Sequence, residues 1–153
     1  MNQTATMAPS WTTTAWLNSD PLKLEDMHDR VVVLEAFQML CPGCVSAALP
    51  QAQKLTKVFG EEIEVVGLHS VFEHHDAMTE TALRAFVHEY KLTFPIGIDA
   101  HNAFNEPVTF VEYEMRGTPT TVLIDRAGRL RAHHLGAVDD MALARAITQL
   151  VME

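Results

Sequence analysis

Apolar residues fall into short runs separated by amphipathic stretches, a pattern that predicts alternating strands and helices. The run "VVVLEAF" at 31–37 is almost wholly apolar and rich in β-branched residues, as expected of a strand buried on both faces. Apolar residues at helical spacing follow it, and Pro50 is expected to kink that helix. The other predicted elements are strands at 63–70 and 94–99, helices at 79–92, 108–115 and 138–151, and a hairpin that turns around Gly128.

The order β-α-β-α-β-α-β-β-α predicts an α/β fold with a central mixed sheet, helices on both faces, and a C-terminal β-hairpin plus helix. A chain of 153 residues is long enough to bury a sizeable core. Residues 1–10 are small and polar and are predicted to be a disordered N-terminus. Residues 11–153 carry no linker and are predicted to form a single domain.

Charge and hydropathy restrict the partners. The net charge is −9 and the 11 Lys and Arg residues are scattered, which argues against nucleic acid and against anionic membrane surfaces. No apolar run is long enough to cross a bilayer, and the N-terminus has neither the basic nor the apolar region of a secretory signal. A cytoplasmic location is therefore expected, or a periplasmic one if an export signal has been removed.

The two cysteines of the chain, Cys41 and Cys44, stand in "CPGC" directly after the buried strand. A bridge between them would close a very small loop and stabilise the fold little, which suits a pair that forms and breaks in redox turnover. The N–H groups and dipole of the following helix favour an anion, so the pKa of Cys41 is expected to fall. Cys44, one turn further in, is expected to keep its proton more tightly. We therefore expect Cys41 to attack a partner's disulfide and Cys44 to resolve the mixed disulfide.

From about residue 17 to residue 150, the chain resembles the thioredoxin-fold superfamily, and within it the TlpA/ResA-like (redoxin) branch. The resemblance rests on "VVVLEAFQMLCPGC", on "RGTPTTVLIDRAGRL" and on the order of elements between them. It implies a thiol-disulfide oxidoreductase without a dissociable cofactor, acting on protein or small-molecule disulfides together with an upstream reductant or oxidant. The sequence departs from the thioredoxin pattern at Leu40, where a Trp is usual, and at the Pro-Gly pair between the cysteines.

The same resemblance implies a substrate-binding set, which consists of Thr118, Pro119, Pro42 and Gly43. It implies that Pro119 is cis and lies beside the cysteines, and that the backbone of Thr118 pairs with a bound substrate strand. The residues between the cysteines are expected to tune the redox potential.

Glu35 is an acid in the middle of the apolar strand, six residues before Cys41. A buried acid is rare without a partner or a purpose, and thioredoxins carry an acid at the matching position. We therefore predict that Glu35 accepts the proton of Cys44 and that desolvation raises its pKa. Alternatively, the strand ends early and Glu35 points to water.

A peroxiredoxin-like peroxidase is an alternative, because "PGCVSAALP" resembles the stretch around the peroxidatic cysteine of some peroxiredoxins. On that alignment Cys44 would attack peroxide. That family, however, needs a Pro and a hydroxyl residue at the positions where Phe37 and Cys41 stand.

A copper or zinc module is the second alternative, with the cysteines as two ligands and further ligands from a set that comprises His69, His74, His75 and Asp76. Adjacent histidines in an extended stretch point opposite ways, so no metal ligand is predicted. His69 is expected to be a hydrogen-bonded loop residue. The segment "HSVFEHHDAMTE", which begins at His69, is a candidate for substrate specificity because loops near a rigid site carry recognition.

Overall fold

The computed structural model describes residues 6–153 and contains one six-stranded sheet with helices on both of its faces. The strands are β1 (Thr13–Leu17), β2 (Val31–Phe37), β3 (Ile63–His69), β4 (Ile96–Asp99), β5 (Thr120–Ile124) and β6 (Leu130–Leu135). The α-helices are α1 (Leu49–Phe59), α2 (Glu80–Glu89), α3 (Val108–Glu112) and α4 (Asp140–Val151). Among the described residues, no helix combines the length and the apolar character needed to cross a bilayer.

The sheet has the order β1-β4-β3-β2-β5-β6. Strands β2, β3 and β4 are parallel, whereas β1, β5 and β6 pair antiparallel with their neighbours. The predicted mixed sheet and C-terminal hairpin are thus confirmed, and all seven residues of β2 are buried.

Residues on alternate positions of β2 face two separate cores, as the period of a strand requires. Val33 and Phe37 face a core shared with α1, α2 and α4. Leu34 and Ala36 face the other core, which contains Phe110 of α3. Glu35 therefore points into the layer that holds α1 and α4, and Cys44 belongs to the same layer.

The N-terminal segment differs from the sequence-based expectation. Strand β1, which the sequence analysis did not predict, pairs antiparallel with β4 at the edge of the sheet. Met7 bridges to Arg129, and the N–H of Ala8 donates to the carbonyl of Gly128 at 2.9 Å. Residues 7–10 are therefore held against the domain, whereas residues 1–5 of the predicted disordered segment lie outside the described residues.

The helix that follows the cysteines, in which Pro50 was expected to produce a kink, contains a π-helical turn just before the proline. The turn Cys44–Ala48 is a π-helix, and α1 continues from it with Pro50 in its first turn. Because proline has no N–H, the carbonyl of Ser46 four residues earlier loses its normal α-helical donor. Such single π-turns inside helices are rare in general and are frequently found at functional sites.

Candidate active site

The two cysteines form a disulfide at the carboxyl end of β2, where the chain enters the π-turn. Their Cα atoms lie 5.2 Å apart. Cys44 is fully buried, while Cys41 is half-buried beside the exposed Leu40. An incoming sulfur can therefore reach Cys41 but not Cys44.

Backbone groups around Cys41 are arranged to stabilise a thiolate. The backbone N–H of Cys44 points at the Cys41 sulfur at 3.3 Å, and the helical conformation already begins at Pro42. An N–H at this position stabilises negative charge on the Cys41 sulfur when the bridge is reduced.

The predicted substrate-binding residues meet beside the cysteines. The Thr118–Pro119 peptide bond is cis, and the Thr118 carbonyl oxygen lies 3.4 Å from the Cys41 sulfur. Pro119 lies next to Gly43, where a Cβ would be in ordinary van der Waals contact with the proline Cδ at 3.5 Å. Pro42 is exposed at the rim of the same site.

Glu35 is buried, with 2% of its surface exposed, so the alternative in which it points to water is wrong. It pairs in register with Thr121 on β5 and Gly67 on β3. The Thr121 hydroxyl donates to Glu35 Oε2 at 2.9 Å, and Oε1 has no hydrogen-bond partner among the described residues. Desolvation raises the pKa of Glu35 to about 8, against the smaller lowering effect of the Thr121 hydrogen bond.

Gln38 is a site residue that the sequence analysis did not identify. It is buried, and its Oε1 accepts from the backbone N–H of Phe72 at 3.1 Å. Its Nε2 donates to the Thr118 hydroxyl at 3.4 Å. Gln38 thus ties the segment after β3 to the residue beside Cys41. A polar residue three positions before the first cysteine was the only signal available in the sequence.

His69 and its neighbours do not form a metal site. His69 ends β3, is buried against Phe37 with ring centroids 5.1 Å apart, and its Nε2 has no partner among the described residues. The expectation of a hydrogen-bonded loop histidine is therefore wrong. Burial lowers the pKa of His69 to about 4. Within residues 6–153, no three His, Cys, Asp or Glu side chains converge as a metal would require.

The geometry of the site agrees with comparisons of the whole chain. The family model of the AhpC/TSA family matches residues 4–133. The chain belongs to the AhpC/TSA family. Two curated relatives are the thioredoxin-like protein YneN of Bacillus subtilis, 28% identical over 122 residues, and the thiol-disulfide oxidoreductase ResA of Halalkalibacterium halodurans, 25% identical over 126 residues. These matches cover 80% and 81% of this chain but 66% and 64% of the relatives, so the chain spans less than two thirds of their length.

Two solved structures are similar over nearly their whole length. A thioredoxin-like superfamily protein is 49% identical, with a TM-score of 0.95, and the match covers 97% of this chain and 98% of that one. A thiol-disulfide isomerase from Corynebacterium glutamicum is 43% identical, with a TM-score of 0.91 and coverage of 95% and 97%. These similarities confirm the thioredoxin-like fold and the resemblance to the ResA-like branch.

Neither the peroxidase nor the metal-binding alternative is favoured for this chain. Cys44 is inaccessible to peroxide, and position 41, where a peroxiredoxin needs a hydroxyl, carries its disulfide partner. The relatives named above are described as thioredoxin-like or as acting on thiols and disulfides, and none of them as a metal carrier.

Proposed function

We propose that this protein is a thiol-disulfide oxidoreductase that exchanges two electrons with a disulfide partner through Cys41 and Cys44. The observation that carries the proposal is the disulfide between one accessible and one buried cysteine, beside the Thr118 carbonyl. The similarity to a thiol-disulfide isomerase over nearly the whole chain supports it.

The reduced protein would act in two steps. The Cys41 thiolate attacks one sulfur of the partner's disulfide, forming a mixed disulfide and releasing the other sulfur as a thiolate. Cys44 then transfers its proton to Glu35 and attacks the Cys41 sulfur. This second step re-forms the Cys41–Cys44 bond and releases the partner's remaining sulfur, so the partner gains two electrons and the protein loses two.

Glu35 suits the proton transfer because its pKa of about 8 is close to that of an ordinary thiol, about 8.5. Matched pKa values let a proton move between the two groups with little cost in free energy. Glu35 and Cys44 face the same core layer, between the sheet and α1.

The substrate side of the proposal rests on Thr118, Pro119, Pro42 and Gly43. The backbone of Thr118 would pair with an extended segment of the partner next to its disulfide. Protein disulfides are the substrate class that we favour, and an upstream dithiol or disulfide would restore the starting state. The curated relatives are longer than this chain, so the proposal extends to a class of substrate and not to their partners. A cytoplasmic location is the prediction from the sequence.

The direct test is a redox titration in glutathione buffers, with thiol alkylation and mass measurement at each ratio. A two-electron transition of the Cys41–Cys44 pair is expected. A potential near −270 mV, about that of thioredoxin, would indicate a reductase, and a much higher one an oxidant or isomerase. If no bridge forms at any ratio, the proposal is wrong.

A further inference from the structure

The proposed role of Glu35 requires that its proton exchanges with solvent in every cycle, yet the carboxyl is almost completely buried. Its strand neighbours Val33 and Phe37 are apolar and buried in the same layer. Across the sheet on β3 stands Gly67, where a Cβ would lie 3.0 Å from Phe94, so apolar rings fill that side. The polar contact of the carboxyl is with Thr121 on β5.

Thr121 is also part of the wall of a pocket between the π-turn and the loop that precedes α4. The pocket has a volume of about 160 Å³. A water molecule takes up about 30 Å³ in the liquid, so the pocket has room for several. Polar side chains that would hold water also line it, namely Ser46, Gln51, Lys54 and Asp140.

The local sequence explains why the pocket lies at this place. Ser46 and Pro50 both line it, and the carbonyl of Ser46 lacks its helical donor because Pro50 has no N–H. On the opposite wall, Gly136 has a φ of 90°, which lets the chain turn there without a side chain. Gln51 fixes the two walls together by donating to the Val138 carbonyl at 2.7 Å.

We propose that the Thr121 hydroxyl and this pocket form the path by which Glu35 exchanges its proton with solvent. The hydroxyl donates to Glu35 Oε2, so it can pass its proton inward while it takes one from pocket water, and the reverse transfer returns a proton outward. Thr121 is unchanged after each transfer. Thr121 is therefore a positioning residue that acts through Glu35, and this inference rests on the proposed function.

The test uses the mixed disulfide of Cys41 with 5-thio-2-nitrobenzoate, formed at pH 5 and jumped to pH 9 in a stopped-flow instrument. Glu35 must lose its proton to solvent before it can accept that of Cys44, and the attack by Cys44 then releases the coloured thiolate. Ala137→Leu places a larger side chain in the pocket and leaves the Thr121–Glu35 hydrogen bond intact. Ala144→Leu is the matched control, because it adds the same volume to a neighbouring apolar cleft on α4.

We expect Ala137→Leu and Thr121→Val to slow release of the coloured thiolate by about tenfold or more, as for loss of an acid–base route. Thr121→Ser, which keeps the hydroxyl, and Ala144→Leu are expected to release it at the wild-type rate. Wild-type rates in all four variants would overturn the proposed path, as would equal slowing by Ala137→Leu and Ala144→Leu. If the wild-type protein itself never releases the thiolate, the proposed function fails, and this inference fails with it.

Discussion

The substitution Glu35→Gln is expected to remove a pH dependence of stability, so that the free energy of unfolding of the oxidised variant rises relative to that of the wild type as the pH increases. Burial raises the pKa of Glu35 from its ordinary value of 4.5 to about 8. Between these values the unfolded chain has released the proton that the folded protein still holds. The wild-type free energy of unfolding therefore falls with rising pH across this window, and the loss is complete above the folded pKa.

The size of the effect follows from the two pKa values. One pH unit corresponds to about 1.4 kcal/mol per proton, and ionisation is partial near each pKa, so raising the pH from 5 to 8 lowers the wild-type free energy of unfolding by about 3–4 kcal/mol. Glutamine cannot ionise, and its amide oxygen can still accept from the Thr121 hydroxyl. Burial of its amide hydrogens changes the free energy of unfolding by a roughly constant amount at every pH. Only the slope of the free energy of unfolding against pH therefore reports the ionisation of Glu35.

Urea unfolding of the oxidised proteins at pH 5, 6, 7 and 8 measures this slope. The disulfide is intact in both folded and unfolded states, so the cysteines do not titrate, and other groups cancel between wild type and variant. Glu64→Gln serves as the control, because Glu64 lies at the surface of the neighbouring strand in an ion pair with Arg30. Parallel stability curves for wild type and Glu35→Gln would refute the reasoning and mean that Glu35 is ionised in the folded protein.

Three further substitutions test other parts of the site. Cys44→Ala is expected to trap a mixed disulfide on Cys41, visible by mass as one added partner, whereas Cys41→Ala should trap none because Cys44 is fully buried. Gln38→Leu leaves the Phe72 N–H without its acceptor and should lower the free energy of unfolding by about 1–3 kcal/mol in urea. It should also raise the KM for a protein disulfide more than that for a small one, because Thr118 loses a contact. Unchanged stability and equal effects on both substrates would count against that role.

Strong local patterns made much of the fold predictable. The β-branched and almost wholly apolar sequence of β2 is typical of a strand buried on both faces, and all seven of its residues are buried. Strand β1 was missed because "TTAWL" is short and mixed, and it becomes a strand through its pairing with β4. Its formation depends on a partner strand about 80 residues away, which local periodicity does not report.

The site was predictable at residues whose type or spacing is unusual for the surrounding sequence. Glu35 stands out because an acid interrupts an apolar strand, and the cysteine pair stands out by its spacing. Gln38 and Thr121 do not, because glutamine and threonine are unremarkable near a strand end. Their roles arise from which residues the sheet places opposite them, Thr118 and Glu35.

The pairing of Met7 with Arg129 fixes the position at which a segment fused ahead of residue 6 would join the domain. The hairpin turn at Gly128 follows β5, whose last residue lies beside the start of β2. The cysteines follow the carboxyl end of β2, at the opposite end of the sheet. A seven-residue strand spans about 20 Å, so an affinity tag, a fluorescent label or a surface linker attached there emerges about that far from Cys41. A protein immobilised in this way would present its sulfur-exchanging end outward, open to partners as large as a folded domain.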